Sequence, residues 1–120
     1  MKVVVTTQGQ TLESPVDPRF GRAKYFLLVD TDTGGCSAHD NAQNLNAPQG
    51  AGIQAAQTVA QLNAEAVLTG HCGPKAFTTL QAANIAIYTG VSGTAKDAIE
   101  LLKNGKLTRT AQADVQGHWA

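Results

Sequence analysis

The sequence predicts a single α/β domain: a mixed five-stranded sheet, an antiparallel meander followed by β-α-β-α, flanked by helices. Three observations lead there. The first forty residues hold β-branched and apolar runs separated by glycine- and proline-rich turns. After residue 52 the apolar spacing changes from period two to period 3.6. Two further short apolar runs then alternate with helical patterns, as crossover units do. A chain of 120 residues is long enough to bury one real core.

Residues 2–7, Lys-Val-Val-Val-Thr-Thr, read as a buried first strand. The stretch from Gln8 to Pro18 is turn-rich, and Pro15 and Pro18 exclude a helix there. Residues 24–31 make a second, mostly apolar strand. Thr33-Gly34-Gly35 is a tight turn, so residues 36–41 form a third, polar, edge-like strand. The loop from Asn44 to Gly52 leads into a helix with Ile53, Ala56, Val59, Ala60, Leu62 and Asn63 on its apolar face.

Residues 65–69 are a short buried strand. Lys75 to Ala83 is helical, with Ala76, Phe77, Leu80 and Ala83 on one face and Asn84 suited to a left-handed end. Residues 85–88 are the last strand. Thr94 is the N-cap of a final helix bearing Ala95, Ala98, Ile99 and Leu102, closed by Asn104-Gly105. Residues 1–105 are thus one domain, and 106–120 a tail without apolar periodicity in which Trp119 is a candidate docking residue. Right-handed crossovers make the last two strands parallel to the first, the layout of a ribonuclease-H-like sheet, with a flavodoxin-like order as the competing topology.

Charge and composition narrow the function. Nine Lys+Arg balance nine Asp+Glu, and aromatics are scarce, so neither a nucleic-acid surface nor a stacking platform is expected. The N-terminal apolar run is too short for a signal segment or a membrane span. Cys36 and Cys72 are therefore expected as free thiols in a cytoplasmic protein. Arg19, Arg22 and Lys24 form a local cationic focus, and the next basic residue is Lys75. That pattern suits a compact anion better than a polyanion, or else an ordinary solvated loop.

Ligands of open α/β sheets sit beyond the carboxyl ends of the parallel strands. Glycines mark each such junction here: Gly50 and Gly52 before the first helix, Gly70 and Gly73 with His71, Cys72, Pro74 and Lys75 after the fourth strand, Gly90 and Gly93 after the fifth. Helix N–H groups there make an anion site, and Pro74 suits a first helical position. No loop carries a dinucleotide or P-loop fingerprint.

His71 and Cys72 are candidate metal ligands, although neighbours on an extended segment face opposite ways. Cys36 and His39 form a looser pair, and all four together would make a Cys2His2 set with no recognised zinc spacing. Asp30, Asp32 and Asp40 lack the first-strand carboxylate that metal-dependent nuclease chemistry needs. Ser92 has no nucleophile-elbow context.

The opening strand, the segment Asp17-Pro18-Arg19-Phe20-Gly21-Arg22-Ala23-Lys24-Tyr25-Phe26, the Gly50-Ala51-Gly52 helix start and the Gly70-His71-Cys72-Gly73-Pro74-Lys75-Ala76-Phe77 turn together resemble the dinitrogenase iron–molybdenum cofactor biosynthesis family, over roughly residues 1–105. Within it the chain is most similar to the orange-protein branch of sulfate-reducing bacteria. The resemblance implies a ribonuclease-H-like fold without nuclease activity and a non-catalytic carrier of an anionic metal–sulfur cluster.

By the same resemblance the cargo is a non-covalently held molybdenum–copper sulfide cluster, with an iron–molybdenum-type cluster as alternative. Implied partners are cluster donors, acceptors or an ATPase, with no nucleic acid or membrane. Arg19, Phe20, Gly21 and Arg22 match the family's first loop, Gly70, Gly73 and Pro74 its second glycine turn, and Gly50 and Gly52 its helix start. His71, Cys72, Lys75 and Gly90 complete the expected cofactor-binding set, with His71 or Cys72 the candidates for a metal bond. A partner-binding regulatory module, or a metal-dependent nuclease or phosphotransferase, are the rival functions.

Overall fold

A computed structural model describes residues 1–41 and 51–111. In chain order the elements are β1 (Lys2–Thr7), β2 (Tyr25–Asp30), β3 (Cys36–Asp40), α1 (Ala51–Gln61), β4 (Ala66–Leu68), α2 (Pro74–Ala82), β5 (Ala86–Tyr88) and α3 (Ala95–Lys103). The five strands form one mixed sheet in the order β3-β2-β1-β4-β5. β1 pairs antiparallel with β2, and β2 with β3, while β4 runs parallel to β1 and β5 to β4. The expected meander and parallel crossovers are both present. Antiparallel pairing of β1 with β2 excludes the flavodoxin-like alternative.

β1 lies at the centre and is buried on both sides, which explains its unbroken valine run. Val4 joins Phe26, Val67 and Ile87 on one face, where Ala55, Ala56 and Val59 of α1 and Ala76, Phe77 and Leu80 of α2 cover them. Val3 and Val5 join Leu27, Val29 and Leu68 on the other, beneath Ala95, Ala98 and Ile99 of α3. The small alanines of α1 let it approach the sheet closely. β3 is exposed along nearly its whole length, as its polar sequence implies for an edge.

Asn84 takes the expected left-handed φ, 60°, just beyond α2. Asn63, expected on the apolar face of α1, instead lies exposed beyond its end with φ of 60°, where it turns the chain toward β4, and Ala83 is the exposed C-cap of α2. Thr94 accepts from the Asp97 N–H, and Asp97 returns the bond to the Thr94 N–H, a complete capping box. Ala51 and Gly52 lie inside α1 and not in the loop before it, because both are buried in its first turn. Gly50 and Trp119 lie outside the described residues. Among the described residues no helix is long and apolar enough to cross a membrane.

Candidate functional site

The carboxyl ends of β1, β4 and β5 lie at one edge of the sheet, and the loops that leave them are stitched to each other. The loop after β1 returns beside that strand: Asp17 N–H donates to the Thr6 carbonyl at 2.7 Å. The Thr6 hydroxyl lies 2.8 Å from the Asp17 carbonyl and 2.8 Å from the Thr69 hydroxyl. His71 N–H donates to Pro18 C=O at 2.7 Å, and Phe20 N–H to His71 C=O at 3.1 Å, so Arg19 and His71 bridge as strand neighbours. Gly90 N–H then donates to Gly70 C=O at 2.7 Å and closes the third loop onto the second.

Two glycines make this closure possible. A Cβ on Gly70 would lie 2.6 Å from Pro18 Cα and 2.7 Å from Pro18 O, so only glycine lets the two backbones meet. Gly90 needs its freedom for a different reason, a φ of +73° that turns the chain back toward β4.

The arginine loop is held from below. Phe20 and Ala23 are fully buried in the α1–α2 core, and the Phe20 ring is 5.9 Å from that of Phe26. Asn41 is buried and donates its amide to the carbonyls of Gly21 (3.2 Å) and Ala23 (2.8 Å). Asp17 is buried too. Its Oδ1 accepts from the Arg19 N–H at 3.1 Å and its Oδ2 from the Lys24 N–H at 3.4 Å. With Phe20 anchored inward, Arg19 is left with a half-exposed side chain, whose Nε is 4.0 Å from Asp17 Oδ1. Arg22 is half-buried.

The second loop feeds α2. Gly73 is its N-cap without a side-chain acceptor, Pro74 opens the first turn, and Lys75 follows exposed. Ala76 and Phe77 share a core cluster with Phe20, and the Arg19–His71 bridge sets the arginine loop beside the turn that leads into this helix. His71 is half-buried, whereas Cys72 is fully buried with its S–H directed to Gly73 C=O at 3.7 Å. The two side chains therefore separate as the alternation of an extended segment requires.

The third loop feeds α3, and here the expected anion site is closed. Ala95 N–H donates to Ser14 C=O at 3.0 Å and Lys96 N–H to Leu12 C=O at 2.8 Å, while Thr94 takes the Asp97 N–H. The chain's own loop occupies this helix N-terminus. Of the glycine-marked junctions, the edge thus unites Arg19, Phe20, Gly21 and Arg22 with Gly70, His71, Cys72, Gly73, Pro74 and Lys75, and joins Gly90 to them through its amide.

Cys36 and His39 stand elsewhere. Cys36 pairs with Val29 and His39 with Phe26, residues of opposite sheet faces, so their odd spacing points them apart. The four-residue zinc set is not assembled, and both cysteines are free. Among the described residues no group of three or more His, Cys, Asp or Glu is arranged to hold a metal ion. Asp30 and Asp32 lie at the opposite end of the sheet. There the Asp32 N–H holds the Asp30 carboxyl below its ordinary range, and the Asp32 carboxylate raises the Met1 amine.

Sequence reasoning did not find Asp17, Asn41 or the Ser14 carbonyl as parts of this edge. Asp17 and Asn41 carried a signal in principle, since turn-flanking Asp and Asn hydrogen-bond nearby backbone. A carbonyl that caps a distant helix has no side-chain signature at all.

Comparison with known proteins agrees with this architecture. Residues 1–105 match the family described as dinitrogenase iron-molybdenum cofactor. The apo form of the orange protein from Desulfovibrio gigas superposes with a TM-score of 0.93 at 38% identity, covering 95% of this chain and 96% of that one. A NifB-like protein from Thermotoga gives 0.83 at 29% identity over 97% and 98%. An uncharacterised protein of Methanocaldococcus jannaschii is 26% identical over 111 residues, 91% of each chain. The chain belongs to the dinitrogenase iron–molybdenum cofactor family.

Proposed function

We propose that the protein is a non-catalytic carrier of an anionic metal–sulfur cluster, a molybdenum–copper sulfide in first place, held without covalent bonds at the carboxyl edge of the sheet. The observation that carries this reading is the fusion of the arginine loop with the glycine-capped start of α2 through the Arg19–His71 bridge. Backbone N–H groups at a helix start and guanidinium groups beside it suit an anion that brings its own sulfide ligands. A cluster of that kind needs no protein thiolate, which agrees with the burial of Cys72. Membership of the iron–molybdenum cofactor family supports molybdenum in the cluster, and the titration below decides whether copper accompanies it. Strand order and pairing support a ribonuclease-H-like fold, and the free thiols support a cytoplasmic setting.

The test is anaerobic titration of the purified protein with tetrathiomolybdate and copper(I), followed by desalting. The expected result is a charge-transfer spectrum that stays with the protein, with stoichiometric molybdenum and copper. Colour lost on desalting would overturn the reading. Turnover of nucleic-acid or nucleotide substrates with Mg²⁺ or Mn²⁺ would overturn its non-catalytic part.

A further inference from the structure

β5 ends the strand order, so alternate backbone groups along it face away from β4. Ala86 N–H and Tyr88 C=O bond on the β4 side, to Glu65 and Thr69. Ile87 C=O and Thr89 N–H face outward, and one residue from beyond α3 meets both. Thr110 N–H donates to Ile87 C=O at 2.7 Å, and Thr110 Oγ1 accepts from Thr89 N–H at 2.9 Å. The two threonine hydroxyls are 2.8 Å apart. Leu107, three residues earlier, packs against the α3-side core and brings the segment alongside β5. Residues 106–110 thus act as a strap over the outermost strand.

The residue after Thr89 is Gly90, whose amide bonds Gly70. We infer that Thr110 is a positioning residue for the cargo edge: it fixes Thr89, and through it the Gly90–Gly70 contact that joins the third loop to the second. The match to the family ends at residue 105, so the strap lies beyond the matched segment. The inference rests on the cargo reading of that edge, but its mechanical part is measurable without cargo.

The experiment uses the full chain with Thr110→Val, which keeps the shape and removes the hydroxyl, and Thr110→Ser, which restores it. Two readouts are taken: amide hydrogen exchange at Thr89 and Gly90, and retention of the product formed from tetrathiomolybdate and copper(I). Loss of the two part-buried hydrogen bonds of the Thr110 hydroxyl should speed exchange at both amides by about fivefold or more and weaken retention by a comparable factor, with T110S near the unmodified protein. Unchanged exchange in T110V would overturn the inference, as would faster exchange with unchanged retention or failure of T110S to restore both. If the unmodified protein retains no cluster, the cargo reading falls on its own. The exchange arm then decides alone whether Thr110 pins the loop.

Discussion

The N-termini of α2 and α3 reach the same edge of the sheet on opposite faces, and they are completed in opposite ways. At α3 the Thr94–Asp97 capping box and the carbonyls of Ser14 and Leu12 take up the first N–H groups. At α2 the cap is a glycine with no side-chain acceptor, and the arginine loop runs beside the turn that precedes it through the Arg19–His71 bridge. A glycine-marked loop before a helix is therefore not in itself a binding feature. At α3, among the described residues, the chain itself supplies the acceptors, and that depends on where the loop after β1 comes to rest. One half of that loop seals α3; the other half, anchored by Phe20, borders α2.

The largest expected effect tests the seam that joins the loops. In Gly70→Ala the new Cβ would press on the Pro18 backbone, not on a flexible side chain. Relief requires moving the arginine loop, so stability should fall by about 2–4 kcal/mol. Urea unfolding checks the first part, and cluster retention should fall with it because Arg19 is displaced. A G70A protein as stable as the parent would show that the seam is loose and that the two loops act independently.

Next is the contrast between the two helix ends. Arg19→Glu with Arg22→Glu removes two cations and adds two anions at the α2 side. With each exposed pair worth about 0.2–1 kcal/mol, retention should drop roughly tenfold or more while the melting temperature stays nearly constant. Added salt should narrow the gap, since the contacts are half-exposed. Retention equal to the parent at low salt would make the arginine patch incidental. Thr94→Ala is the counterpart at α3: it should cost about 1 kcal/mol of stability, read by urea unfolding, and leave retention untouched. Loss of retention in T94A without loss of fold would show that the α3 end belongs to the site after all.

The sequence carried the fold well because its signals are local and repeated. The valine run of β1, the Thr33–Gly35 turn, the alanine-spaced face of α1 and the left-handed Asn84 each act within a few residues, and all agree with one topology. The arginine loop and the Gly70–Lys75 turn were legible as neighbours of strand ends. Closure of α3 was not legible, because Ser14 and Leu12 act through backbone carbonyls some eighty residues away in sequence. Thr110 was hidden for the same reason: a threonine in a segment without periodicity announces nothing until the edge of β5 shows which groups it must satisfy.

The smallest effect sharpens what Arg19 contributes. Asp17 acts on Arg19 in two ways, besides accepting from the Lys24 N–H: its Oδ1 accepts from the Arg19 N–H, and its charge stands 4.0 Å from the Arg19 Nε. In Asp17→Asn the first function survives, because the amide oxygen still accepts. The second is removed. The amide nitrogen would face the Lys24 N–H, donor against donor in a buried site, at a cost of about 1 kcal/mol. If the loop geometry is set by backbone bonds and the buried Phe20, unmasking Arg19 should raise cluster retention about two- to threefold at low salt, with a clear decrease in melting temperature from the buried donor–donor contact. Weaker retention in D17N would mean that the carboxylate charge aims the guanidinium toward the edge. Arg19 would then be a residue placed by its counter-ion, and the α2 end would be as dependent on an intramolecular acceptor as the α3 end is.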